Sequence, residues 1–166
     1  MDGYQVYDGY GFPTKGITAG HIRKFIAEHA DSLHAFCRTE LDRINTGSLV
    51  HLAVNGNITD EEFEDMAEVL GFIVEEKDRH GPRTLCNTVA DIMSVESKMP
   101  FEYVTGDVEC GEEAAIMIVS GFPWTFLGRL KEMSVSDVDA VMQRYIDELG
   151  IGEEPSYLTV MEKNRN

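Results

Sequence analysis

The chain predicts an α+β fold, an N-terminal helical cluster followed by a small antiparallel sheet of about three strands packed with a C-terminal helix. Three observations predict it. Apolar residues recur at helical spacing through most of residues 18–95. Two β-like runs, residues 101–104 and 114–120, flank a turn rich in glycine and acid. A last amphipathic stretch, residues 136–149, precedes a strand-like tail. The expected organisation is one compact domain with an aromatic N-terminal arm over residues 1–16, a helical part over 17–97 and an α+β part over 98–166. At 166 residues the chain is long enough to bury a core without metal or disulfide support.

Residues 1–16, MDGYQVYDGYGFPTKG, repeat Asp-Gly-Tyr at 2–4 and 8–10, and Phe12-Pro13 follows the repeat. They read as an extended arm or edge strand that docks Tyr4, Val6, Tyr7, Tyr10 and Phe12 on the body, with a partner-binding aromatic arm as the alternative. Between Thr18 and Asn45 the residues Ile22, Phe25, Ile26, Leu33, Phe36, Cys37, Leu41 and Ile44 fall close to one helical stripe. Thr18 is placed to cap its start, Asp31-Ser32 to open a second helix, and Asn45-Thr46-Gly47 to stop it. Residues 48–54, SLVHLAV, suit a short helix or a strand, and their helical neighbours favour the helix.

The strongest helix signal covers residues 58–77. Thr59 and Glu62 have the spacing of a capping box, and Ile58 and Phe63 that of a hydrophobic staple. Phe63, Met66, Ala67, Leu70, Ile73 and Val74 form the inward stripe, which leaves an intensely acidic outer face. Pro82 is expected to stop this helix and start a successor with Leu85, Cys86, Val89, Ile92 and Met93 on one face. After Lys98-Met99-Pro100 the pattern turns to a hairpin, closed by Phe122-Pro123-Trp124. Ser136 with Asp139 makes an acidic variant of the capping box, Gly150 supplies the stop, and PSYLTVMEK reads as a final strand added to the hairpin.

Composition narrows the function classes. The N-terminal MDGYQVYDGYGF has neither the basic region nor the apolar run of a signal peptide, and no apolar run is long enough to span a bilayer, so the expectation is a cytoplasmic protein without a membrane role. Cys37, Cys86 and Cys110 are odd in number and form no C-x-x-C pair, which points to reduced thiols. Cys110 sits among carboxylates that raise a thiol pKa, which makes it a poor nucleophile. His29 and His34 are five apart, and no H-E-x-x-H, G-x-S-x-G, phosphate-cradling glycine loop or calcium loop occurs. The expectation is no cofactor, no metal and no catalytic residue.

The informative quantity is the net charge of -16, from 30 acids and 14 bases. Residues 46–80 hold nine acids and two bases, and residues 101–120 hold five acids and no base, so these two stretches carry most of the imbalance. A charge of this sign repels phosphates and disfavours direct nucleic-acid binding; it favours a basic protein partner. A rigid helix displaying carboxylates imitates the potential of a phosphate backbone, the strategy of small acidic inhibitors such as antirestriction and anti-CRISPR proteins. What is shared with them is physical character, with no motif. The expected function is therefore an acidic interaction module, in its concrete form an inhibitor of a basic nucleic-acid-binding enzyme. The expected partner-binding residues are Glu61, Glu64, Asp65, Glu68, Glu75 and Glu76, with Asp107, Glu109, Glu112 and Glu113 as a second patch. Three readings compete with it. One is an enzyme with a nonlocal site drawing on His51, His80 or Tyr103. Another is a structural or assembly protein with an apolar patch around Tyr4, Tyr7, Phe122 and Trp124. The plainest is an acidic surface that serves solubility alone.

Overall fold

The computed structural model describes residues 3–35, 37, 39–72, 84–107, 113–119 and 135–163. They contain six helices and a four-stranded antiparallel sheet, in two compact units. One unit comprises Ile17–Lys98, the other Met1–Gly16 with Met99–Asn166.

The first unit is helical. Helix α1 (Ala19–Glu28) begins at Thr18, whose hydroxyl accepts from the His21 amide at 3.2 Å while His21 Nδ1 accepts from the Thr18 amide, so histidine takes the place of the usual glutamate in a capping box. Helix α2 (Ala30–Ala35) follows almost at once. Helix α3 (Glu40–Val54) starts at Thr39 and runs unbroken through Asn45-Thr46-Gly47, where the sequence suggested a stop. Gly47 lies in mid-helix at a cost of about 1 kcal/mol relative to alanine, and packing of Thr46, Leu49 and Ala53 against the neighbouring helices overrides that local preference. The SLVHLAV stretch is therefore the second half of α3.

Helix α4 (Asp60–Val69) has the expected reciprocal cap: Thr59 Oγ1 accepts from the Glu62 amide, and Glu62 Oε1 accepts from the Thr59 amide, both at 3.1 Å. The helix is shorter than the sequence pattern suggested. Gly71 takes φ +94°, the Gly71 amide donates to Glu68 O at 2.9 Å and the Phe72 amide to Ala67 O at 2.8 Å. This is a Schellman stop, with Phe72 buried beyond it. Ile73, Val74 and the expected stop at Pro82 lie outside the described residues. Helix α5 (Leu85–Ser97) is capped by Thr84 and ends at Lys98 in the left-handed region, φ 60°.

The second unit holds the sheet. Strands β1 (Tyr4–Pro13), β2 (Phe101–Thr105), β3 (Ala114–Val119) and β4 (Ser156–Lys163) are ordered β2-β3-β1-β4. The β2–β3 hairpin is as expected, but the sheet has four strands rather than about three, because β1 is an inner strand between β3 and β4 and not an arm or edge. Strand β4 pairs with β1 and not with the hairpin. An Asp-Gly-Tyr-Gly stretch looks like a poor strand. Its glycines are nonetheless required by close approach: a Cβ on Gly11 would stand 2.1 Å from Ile116 O, and one on Gly9 2.4 Å from Ile118 O.

Directly paired residues share a face. Gly9 and Gly11 therefore lie on the face of Val104, Ala115, Met117 and Val160, which form a buried cluster flanked by Tyr7, Val119 and Leu158. Just beyond β2 the chain reaches β4: the Asp107 amide donates to Met161 O at 2.8 Å, and Asp107 Oδ2 accepts from the Lys163 amide at 2.7 Å. The opposite face carries Phe12, Ile116 and Ile118, all buried. On that face Tyr10 donates its hydroxyl to Asp139 of helix α6 (Val135–Leu149). Helix α6 buries Val138, Met142, Tyr145, Ile146 and Leu149, with Val141 half-buried beside them, and stops at Gly150, φ +74°, where the sequence places the stop. The Phe122-Pro123-Trp124 segment lies outside the described residues, and the side chain of Ser136 is likewise not described.

Candidate functional site

Helix α4 sets out its acids by spacing. Glu61, Glu64, Asp65 and Glu68 follow i, i+3, i+4, i+7 and all four are exposed, while Phe63 and Ala67 are fully buried on the opposite side. No ion pair among the described residues involves these four carboxylates. The reciprocal cap and the Schellman stop fix both ends of the helix, so the carboxylates stand on a rigid support. Asp60, Glu61 and Glu62 in the first turn also sit at the favourable end of the helix dipole.

The support is anchored from below by Arg23 of α1. Its Nη1 donates to Ile58 O at 2.9 Å and to Asp60 Oδ1 at 3.1 Å, its Nε to Ala53 O at 3.2 Å, and its Nη2 to Asn55 O. The guanidinium carbon lies 5.8 Å from the centroid of the Phe63 ring. One cation thus ties the end of α3, the connecting loop and the first turn of α4. Sequence reading does not single out Arg23. A signal existed in its i, i+3 spacing with the buried Ile26, which places it beside the core-facing stripe.

The expected second patch belongs to the other unit. Asp107 is half-buried, and its carboxylate is engaged by the Lys163 amide. Glu113 is exposed beside β3, with its carbonyl accepting from the Gly106 amide at 2.7 Å. Glu75, Glu76, Glu109 and Glu112 lie outside the described residues, as do His80 and Cys110.

A feature that sequence reading missed adjoins the acidic stripe. Leu41 and Ile44 were expected in a buried stripe, yet they are 66% and 59% exposed. The reason is the continuity of α3: with no break at Gly47, the buried side is fixed by Thr46, Leu49 and Ala53, and Ile44 falls well away from Leu49 around the helix. On α4, Met66 was likewise assigned to the inner stripe but is 42% exposed, and Val69 is 87% exposed. Ile44, Ser48, Leu52, Met66, Val69 and Leu70 line a groove of about 670 Å³ between α3 and α4, together with Arg43, Gly47, His51 and Asn55.

Of the described histidines, His29 is buried in an internal polar cluster. His29 Nδ1 lies 2.7 Å from Glu96 Oε2, Ser32 Oγ donates to the same oxygen at 2.6 Å, and the His29 ring stacks on Phe25 with centroids 4.2 Å apart. Serine and histidine here share a carboxylate rather than a hydrogen bond with each other, so the arrangement ties the α1–α2 junction to α5 instead of activating a nucleophile. Among the described residues no group of three or more His, Cys, Asp or Glu side chains is placed to hold a metal ion, and no helix is long and apolar enough to cross a membrane. Comparison with protein-family models, curated proteins and solved structures gives no match.

Proposed function

We propose that this chain is an acidic protein-interaction module that engages a basic partner through the outer face of α4, and that its concrete role is inhibition of a nucleic-acid-binding enzyme by imitation of a phosphate backbone. The observation that carries this reading is the row Glu61, Glu64, Asp65, Glu68, exposed, without ion-pair partners among the described residues, and held on a helix fixed at both ends. Four carboxylates at helical spacing cover about 10 Å of helix, a length on which a cationic groove built for successive phosphates can act. Net charge of -16 adds long-range attraction to such a groove and speeds encounter at low salt.

The test is capture of partners by the immobilised protein at low and at high salt, beside a variant with Glu61→Lys, Glu64→Lys, Asp65→Lys and Glu68→Lys. The expected result is capture of a basic nucleic-acid-binding enzyme at low salt, lost at high salt and lost in the variant. Undiminished capture by the variant overturns the reading.

A further inference from the structure

We infer that the groove between α3 and α4 receives an amphipathic helix of the basic partner, with the apolar ridge of that helix on the groove and its lysines and arginines on the adjoining carboxylates. This rests on the reading above and specifies how the acidic face would be used. The groove offers Ile44, Leu52, Met66, Val69 and Leu70, and Val69 and Ile44 are among the most exposed large apolar side chains described. Exposed apolar side chains gathered in one concave strip mark an interaction site more than scattered ones do. A phosphate-like face alone would have no use for them.

Charge decides the occupant. Around α4 the order of side chains at 100° per residue places Asp65 next to Val69, so the exposed row that continues through Glu61, Glu68 and Glu64 borders the apolar strip on its solvent side, while Glu62, between Val69 and Met66, has its carboxylate on the Thr59 amide. Arg43 is the cation lining the groove, and Glu40 stands one turn before Ile44 on α3. A second copy of this chain would bring its own charge of -16 against that border and be repelled. An anionic lipid surface or a nucleic acid would be repelled for the same reason. A helix with a leucine-like ridge and basic flanks meets both the apolar strip and its acidic edge. The shape agrees, since two packed helices joined by a short loop leave a trough that a third helix fills through i, i+3, i+4, i+7 anchors.

The probe is a dye-labelled helical peptide of leucine and lysine with leucines at i, i+3, i+4 and i+7. Its control has the same composition with the leucines scrambled. In anisotropy titrations the amphipathic peptide is expected to bind about tenfold more tightly than the control. The Met66→Ser, Val69→Ser double variant should remove that preference while its melting temperature stays that of the wild type, because both positions are exposed. Equal affinity for the two peptides, or a preference that survives the double variant, overturns the inference. The four-lysine variant tests the parent reading separately. If it binds both peptides as well as wild type does, the acidic-face reading falls, and the inference that rests on it falls too. If the two peptides bind wild type equally and with strong salt dependence, the acidic face stands and the groove does not.

Discussion

Arg23 donates from Nη1 to the carbonyl oxygen of Ile58 at 2.9 Å, across the junction between α3 and α4. The same side chain, only 13% exposed, reaches Ala53 O, Asn55 O and Asp60 Oδ1, so removing it strands several half-buried acceptors at once. Arg23→Ala is expected to lower unfolding stability by about 2–3 kcal/mol, because acceptors left without donors cost more than the bond itself contributes. Arg23→Lys should recover less than half of the loss, since a single ammonium does not reproduce the planar fork. Urea unfolding checks both: the midpoint should fall, with the slope unchanged.

The acidic helix depends on its two ends. Thr59→Ala deletes the acceptor for the Glu62 amide and should cost about 1 kcal/mol. Gly71→Ala places a Cβ at φ +94° and should cost about 1–2 kcal/mol. In both variants the amides of α4 should exchange faster with solvent than in wild type, and salt-dependent partner capture should weaken without any change of net charge. Unchanged exchange in α4 would count against the caps as its supports.

These ends show how far the sequence could be read. The cap at Thr59–Glu62 was legible because it is local: two side chains three residues apart satisfy two amides. The stop at Gly71 is hidden in the sequence because the apolar period runs on from Leu70 to Ile73 and Val74, whereas the structure ends the helix in a Schellman motif and buries Phe72, a residue outside that period, just beyond it. The groove was illegible for a related reason. A break placed at Asn45–Gly47 let Leu41 and Ile44 join an inner stripe, whereas a continuous α3 turns them outward. Residues 1–16 read as an extended arm or edge strand, and only the paired register shows an inner strand whose glycines let β3 approach too closely for a side chain. Periodicity finds elements; which faces are covered is decided by partners distant in sequence.

Tyr10 gives the molecule an alkaline signature. Its hydroxyl donates to Asp139, and that hydrogen bond, with burial and the nearby negative charge, pushes its pKa from 10.0 up to about 12. The folded state then keeps a proton that the unfolded chain releases. The contribution is whole below pH 10 and is lost as pH rises through about 12. A spectrophotometric tyrosinate titration should show one tyrosine ionising late, and Asp139→Asn should return it toward 10.0. Tyr10→Phe should be less stable than wild type at neutral pH by about 1 kcal/mol, with the difference shrinking in that alkaline window. A constant difference across the window would refute the assignment.

Closure of the sheet edge separates the structural from the electrostatic role of Asp107. A Cβ on Gly106 would stand 2.5 Å from Met161 O and 2.7 Å from Val160 Cγ1, so Gly106→Ala must push the end of β2 off β4. Stability should fall by about 1–3 kcal/mol, and β4, with its outer edge unguarded, should become the site of self-association on warming. Asp107→Ala removes the acceptor for the Lys163 amide and should cost about 1 kcal/mol, whereas Asp107→Asn keeps an acceptor oxygen and should cost less. The partner assay then divides the acids by role. Because the Asp107 carboxylate is engaged by the Lys163 amide, Asp107→Asn should leave salt-dependent capture close to wild type, while the same change of one charge at Asp65, on the exposed row of α4, should weaken it. Equal losses at the two positions would mean that net charge alone drives capture and that the helical row has no special part in it.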